Sequence, residues 1–193
     1  KRIIKLLADI TEHGQVFRVD MRLRPNGDSG PLVCSFMMLE NYFITQGREW
    51  ERYAWIKARV LRGESYTELE AIARPFVFRK YLDYGAIDAM RNLHAQIRRE
   101  VMRRDRANNV KLGPGGIREI EFIAQVFQLI RGGRDRELQI RPTLQVLTQL
   151  AQRGILSQEV TQELTAAYDF LRRLEHRLQY VDDAQTHDLP QQP

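Results

Sequence analysis

Cysteine is almost missing from this sequence. Cys34 stands alone among 193 residues, so no internal disulfide can staple the fold, and a reducing compartment suits it. Long apolar runs are missing too. None reaches the roughly 18 residues of a membrane-spanning helix, and the opening KRIIKLLADITEHG has no small-residue cleavage site of a secretory leader. The expected setting is therefore cytoplasmic, with no membrane partner. Neither sign of charge prevails: 30 basic residues face 25 acidic ones, for a net charge of +5. That balance suits phosphate-bearing ligands or an acidic partner and argues against a nucleic-acid coat. Neither the P-loop nor the dinucleotide fingerprint occurs, and no tandem repeat is visible.

What is present is a globular composition, 43% hydrophobic, enough to build a core for one large domain or for one domain plus part of another. Ile3, Ile4, Leu6, Leu7 and Ile10 already follow helical spacing at the first residues, whereas QTHDLPQQP at 185–193 loses all periodicity. The first reads as a helix belonging to something longer and the last as a loop, so the chain is expected to be a fragment.

The stretch VFRVDMRLRPNGDSGPLV at 16–33 organises the reading of the rest. Apolar and polar residues alternate through Arg24, which predicts a half-buried strand with Phe17, Val19, Met21 and Leu23 on one face. Arg18, Asp20, Arg22 and Arg24 would line the other. Two readings of that polar face stand: a carboxylate among guanidiniums that holds a phosphate beside a metal ion, or an Asp20 that pairs with its arginine neighbours on a solvated surface. Residues 25–31 then form a dense turn.

Elsewhere helical signals prevail. A helix is expected over 2–12 with Gly14 as its cap, a short strand at 32–34, and a helix from Ser35 as cap to Thr45. Another follows over 48–62, placing Lys57 beside the apolar stripe, where it either snorkels to the edge or points into a ligand cleft. Ser65 and Glu68 suggest a capping box for a helix ending before Pro75, and the aromatic segment from Phe76 to Tyr84 reads mostly as core. A long amphipathic helix is expected over 87–106, with His94 on its apolar side. Pro142 and Gly154 bracket a helix over 141–153, and Ser157 caps a last one to Asp182 with Val160, Leu164, Leu171, Leu174 and Val181 in its stripe. This half reads as a helical bundle.

A second stretch, NNVKLGPGGIREIEFIAQVFQ at 108–128, brings Gly113, Gly115 and Gly116 directly before a helix start. Such a loop offers backbone N–H groups at a positive dipole end, with Lys111 and Arg118 nearby, which is a ready phosphate site. Glu119 and Glu121 are two residues apart and diverge on a helix, which argues against both binding one metal and leaves one of them able to face the cleft. Glu119 also suits the first helical turn as a purely local choice.

With FRVDMRLRPNGDSGPLV, WERYAWIKARV at 50–60, KLGPGGIREIEFIAQVFQLIRGG at 111–133 and LRRLEHRLQ at 171–179 in hand, the chain resembles the bifunctional glutamine synthetase adenylyltransferase/adenylyl-removing enzymes. These belong to the DNA polymerase β-like nucleotidyltransferases. The wording GDSGPLV with WERYA is similar to their amino-terminal, adenylyl-removing half. The resemblance implies a mainly α chain: residual strands of a polymerase β-like α/β domain over 1–63, followed by an all-helical bundle over 64–193. It also implies Mg²⁺, and a reaction in which orthophosphate attacks the AMP–tyrosine bond of glutamine synthetase to give ADP, with the PII signal protein as regulator and ATP as substrate of the other half.

By the same resemblance Asp20 is a metal-binding catalytic carboxylate. Arg22, Arg24, Lys57, Arg59 and Arg118 are phosphate or nucleotide contacts, and the loop of Gly113, Gly115, Gly116 and Glu119 faces the nucleotide. The family's Gly-Ser…Asp-x-Asp motif is absent from this sequence, so the chain alone is expected to be inactive. The alternatives are a helical module that binds glutamine synthetase or PII, or a relative of the PII uridylyltransferases, which fit the quoted motifs less well.

Overall fold

The computed structural model describes residues 1–81, 108–181 and 186–190, together with Gly85, Asp88, Arg91, Asn92, Ala95 and Arg99. The helix expected over 87–106, with His94, lies outside the described residues apart from those few positions, as do Leu82 and Tyr84. Among the described residues the architecture is mainly α, in seven α-helices: α1 (Arg2–Ala8), α2 (Phe36–Thr45), α3 (Glu49–Trp55), α4 (Tyr66–Val77), α5 (Ile117–Arg131), α6 (Thr143–Gln152) and α7 (Gln158–Val181). They divide between two compact units, Lys1–Gln46 and Gly47–Pro193.

In the first unit α1 stops at Asp9, sooner than its periodicity suggests. Thr11 and Gly14 then exchange backbone hydrogen bonds of 2.9 and 3.0 Å, so Gly14, at φ +92°, serves a tight turn instead of a helix cap. The expected strand at 16–24 does not form, nor does that at 32–34; the described residues of both run without regular structure. The reason is physical: alternation makes a strand only where a neighbour supplies a ladder of backbone partners, and here the Phe17 amide finds a single one, the Leu7 carbonyl, at 2.8 Å. Phe17 and Leu23, assigned to an inner face, are 66% and 72% exposed. The turn at 25–31 does form. Gly27–Ser29 make a 3₁₀ turn, and Gly30 passes so close to Pro25 that a Cβ on it would stand 1.8 Å from the Pro25 oxygen. Ser35 caps α2 by accepting from the Met38 amide, and Leu39, Tyr42 and Phe43 are its buried residues.

In the second unit α3 is shorter than the 48–62 reading, whereas α4 runs through Pro75 instead of ending before it. What holds that last turn lies outside the helix. Phe76 and Val77 are buried, and the buried Arg52 of α3 donates to the Val77 carbonyl through Nε (3.2 Å) and Nη2 (3.0 Å). These contacts offset the hydrogen bond that proline cannot make. The bundle core joins Ile120 and Ala124 of α5, Leu138 of a 3₁₀ turn (Arg136–Leu138), and Val146, Leu147 and Leu150 of α6, with Leu164, Tyr168 and Leu171 of α7 packed against it. Gln128 ties the linker to α5 by donating to the carbonyls of Leu138 (2.6 Å) and Ile140 (2.7 Å). The glycine pair after α5 is required by close approach: a Cβ at Gly133 would fall 1.9 Å from the Arg79 carbonyl oxygen. Along α7 the fully buried positions are Thr161 and Glu175, and of the expected stripe Leu164 and Leu171 pack on the core while its ends do not. Val160 and Val181 are exposed.

Candidate functional site

Asp20, the sequence's leading candidate, lies in the first unit on the irregular stretch after α1. Its carboxylate accepts from the Arg22 amide (2.9 Å) and from Arg22 Nε and Nη2 (3.0 and 2.6 Å). These side-chain and backbone hydrogen bonds pull its pKa down to about 2. The solvated pairing is thus the arrangement present. Arg24, also expected at a phosphate, turns inward on its own loop. It donates to the carbonyl oxygens of Met21, Asp28 (3.3 Å) and Gly30 (3.3 Å) and so holds the 25–31 turn closed. The donor set does not fit a complete Mg²⁺ site, since among the described residues no three His, Cys, Asp or Glu side chains group to hold a metal.

The second unit brings two of the predicted cations together. Lys57 follows α3 in a turn, and its Nζ donates to the Arg141 carbonyl (2.6 Å) and to Thr143 Oγ1 (2.9 Å) at the start of α6. Burial lowers its pKa, and the carboxylate of Glu121 opposes that shift. Glu121, on α5, also faces Arg118 Nη1 at 3.8 Å and accepts from the Tyr168 hydroxyl of α7 at 3.2 Å. Tyr53 stands beside them on α3, its ring 5.8 Å from that of Phe122, and burial pushes its phenol up to about 12. Arg118 thus faces Glu121 directly, while Lys57 is engaged by the start of α6 and feels that carboxylate only through its charge. Arg59 is exposed just beyond Lys57. Glu121 was weighed from sequence only together with Glu119, and Thr143, Tyr168 and Tyr53 were not singled out as site residues. The signal available was the position of Glu121 beside Glu119 on a helix whose next turn is apolar.

The glycine loop has the expected place before α5, but its amides are spent on the fold. Lys111 and Leu112 donate to Asn109 Oδ1 (3.2 and 2.8 Å), and Gly113 donates to the Asn109 carbonyl (2.7 Å). Gly115 donates to Glu119 Oε2 (2.9 Å), Gly116 to Gly113, Ile117 to Val110 and Arg118 to Lys111. The expectation of free backbone donors for a phosphate is corrected accordingly: each of these amides already has a partner within the protein. Behind the loop Glu175, 2% exposed, is met by Lys111 Nζ (3.4 Å), His187 Nδ1 (3.1 Å) and Arg172.

Comparison with known proteins places this geometry. A family model described as Glutamate-ammonia ligase adenylyltransferase matches residues 1–73, and one described as GlnD PII-uridylyltransferase matches residues 91–192, more than half of the chain. The "Bifunctional glutamine synthetase adenylyltransferase/adenylyl-removing enzyme" of Aromatoleum aromaticum is 80% identical over 190 residues, 98% of this chain and 20% of that protein. Proteins of the same name from Chromobacterium violaceum and Neisseria meningitidis are 67% and 61% identical over 100% of this chain, which covers 22% and 21% of them. The chain spans about a fifth of the length of the curated relatives it matches. It belongs to the glutamine synthetase adenylyltransferase/adenylyl-removing enzyme family, and its later half carries the region that the PII-uridylyltransferase model describes.

Proposed function

We propose that this chain contributes the phosphate side of an adenylyl-removing site, in which orthophosphate displaces tyrosine from AMP on glutamine synthetase. An oxygen of orthophosphate bonds to the AMP phosphorus, the phosphorus–tyrosine bond breaks, the phenolate takes up a proton, and ADP leaves. Such in-line transfer depends on positioning and on cations that offset the charge of the phosphates. The observation that carries the reading is the half-buried Lys57, its Nζ held by the Arg141 carbonyl and Thr143 Oγ1, on the same unit as the Arg118–Glu121 pair. Three ammonium protons are available on Lys57 and two are engaged, which leaves one for a phosphate oxygen. Arg59 is a further exposed cation of the second unit, and Arg22 of the first is a phosphate contact by the family resemblance, whereas Arg24 acts by holding the turn. By the family resemblance Asp20 would supply one carboxylate toward a divalent metal. The boundary at residue 63 between nucleotidyltransferase and helical domains belongs to the same reading, as do the cytoplasmic setting and ATP as substrate of the family's other activity.

The test is ADP formation from adenylylated glutamine synthetase, Mg²⁺ and orthophosphate by the full-length enzyme carrying Lys57→Met or Arg118→Gln. Loss of a charge-assisted phosphate contact raises the KM for orthophosphate about tenfold or more. An unchanged KM in both variants refutes the reading. A second reading, a helical module that docks glutamine synthetase or the PII protein without chemistry, is favoured by the exposed apolar residues of α7, Phe170 and Tyr180 (65% and 90% exposed). Binding to either partner that is indifferent to metal and to Lys57→Met supports it.

A further inference from the structure

The glycine loop before α5 hangs on Asn109. This residue is 6% exposed, and both ends of its side-chain amide are engaged. Oδ1 accepts from the Lys111 and Leu112 amides at 3.2 and 2.8 Å; two N–H donors require an oxygen there, so Nδ2 points the other way. On that side it donates to Asp188 Oδ1 at 2.6 Å. The flanking backbone repeats the pairing: Val110 donates to the His187 carbonyl and Leu189 to that of Asn108.

What Asn109 holds is passed on to α5. Ile117 donates to the Val110 carbonyl (3.1 Å) and Arg118 to that of Lys111 (3.0 Å), so the first turn of α5 is built on the two residues that follow Asn109. The fit is close, since a Cβ on Gly116 would stand 2.8 Å from the Val110 oxygen. The exposed Arg118 guanidinium faces Glu121 at 3.8 Å, too far for a hydrogen bond, so the backbone of that first turn sets where the side chain can reach.

We propose that Asn109 and Asp188 are positioning residues, whose hydrogen bond latches the segment 186–190 to the glycine loop and thereby sets the place of Arg118 for orthophosphate. This rests on the reading of Arg118 as a phosphate contact. A single β-bridge is marginal by itself, and a buried amide that loses its partner costs more than an exposed carboxylate that does. The side-chain bond therefore decides how firmly the loop is held. With the loop held, Arg118 meets its ligand preformed, and less freedom is lost on binding.

Asp188 is exposed, so Asp188→Ala removes the acceptor and leaves the core packing alone. Asn109→Asp sets two carboxylates against each other while still offering an oxygen to the Lys111 and Leu112 amides. Combining it with Asp188→Asn restores the bond with donor and acceptor exchanged. In the full-length enzyme these variants are compared with Arg118→Gln for KM and kcat in phosphorolysis, and hydrogen exchange is followed by mass spectrometry over peptides spanning 108–118. Asp188→Ala and Asn109→Asp are expected to raise the KM for orthophosphate about three- to tenfold with kcat within about twofold, and to quicken exchange over 108–118. The exchanged pair should bring both readouts back to within about twofold of the parent. If exchange quickens and Arg118→Gln raises KM, yet Asp188→Ala and Asn109→Asp leave KM unchanged, the latch does not position Arg118: the proposal is overturned and the phosphate reading stands. Unaltered exchange in both single variants overturns the proposal too, as does an exchanged pair no better than Asn109→Asp alone. If Arg118→Gln leaves KM unchanged, the phosphate role of Arg118 falls and the proposal falls with it.

Discussion

Asp20 keeps its charge far into acid because Arg22 meets it with two guanidinium nitrogens and with its own amide. A carboxylate held at about 2, against an ordinary 3.8, contributes its stabilisation above the ordinary value and loses it as pH falls toward 2. Carboxyl ¹³C titration should show Asp20 returning toward 3.8 in Arg22→Gln; a midpoint that stays near 2 assigns the shift to some other group. Lys57 presents the opposite case, a cation whose charge burial disfavours and whose neighbours are a carbonyl, a hydroxyl and a carboxylate. Both residues were legible in sequence as charges in suggestive places. The arginine pairing of Asp20 was legible as one of two readings, but the partner of Lys57 was not, because Thr143 lies far along the chain and no local spacing encodes that meeting.

At the scale of elements, the segment 186–190 straps the approach to the glycine loop. Val110 donates to the His187 carbonyl (2.8 Å), Leu189 donates to that of Asn108 (3.0 Å), and Asn109 pairs with Asp188 through both backbone and side chain. The His187 ring meets the buried Glu175 among Lys111, Arg172 and Asp188, and its pKa is lowered, first by burial and then by Lys111. A base harder to protonate when folded leaves stability complete above its ordinary 6.5 and erodes it as pH falls below that value. Hydrogen exchange at the Val110 amide, corrected for intrinsic rates, should therefore quicken between pH 7.5 and 5.5 in the native chain and lose that dependence in His187→Gln. Equal protection at both pH values in the native chain rules out the coupling. Sequence reading assigned 185–193 to a loop and had no means to seat it, since the pairing needs residues 108–110 as its partner strand.

Over the whole molecule the two units differ in what covers their apolar side chains. Leu147 of the bundle is fully buried, whereas Leu23 of the first unit is 72% exposed. Leu147→Ala should lower unfolding free energy by about 2–5 kcal/mol in denaturant titration, and Leu23→Ala by no more than about 0.5 kcal/mol. Similar losses at the two positions would mean that the first unit buries Leu23 after all. The family, the mainly helical class, the bundle and the glycine loop before α5 were each readable from sequence, because each rests on a pattern confined to one stretch: 3.6-residue periodicity, a capping serine, a glycine run.

Local pattern thus settles which segments can be helices and which relatives the chain has, as the Ser35 cap and the turn at 25–31 illustrate. It does not settle the strand at 16–24, because alternation specifies a surface to be paired and not the partner. It also missed the passage of α4 through Pro75, which depends on Arg52 reaching the Val77 carbonyl from another helix. The meeting of Lys57, Thr143, Tyr168, Glu121 and Arg118 belongs to the same class. Only when α5, α6 and α7 pack around Leu147 do Thr143, Tyr168 and Glu121 come to lie in one partly buried region, with Arg118 at its exposed edge, and there lower polarity makes each hydrogen bond count for more than it would in water.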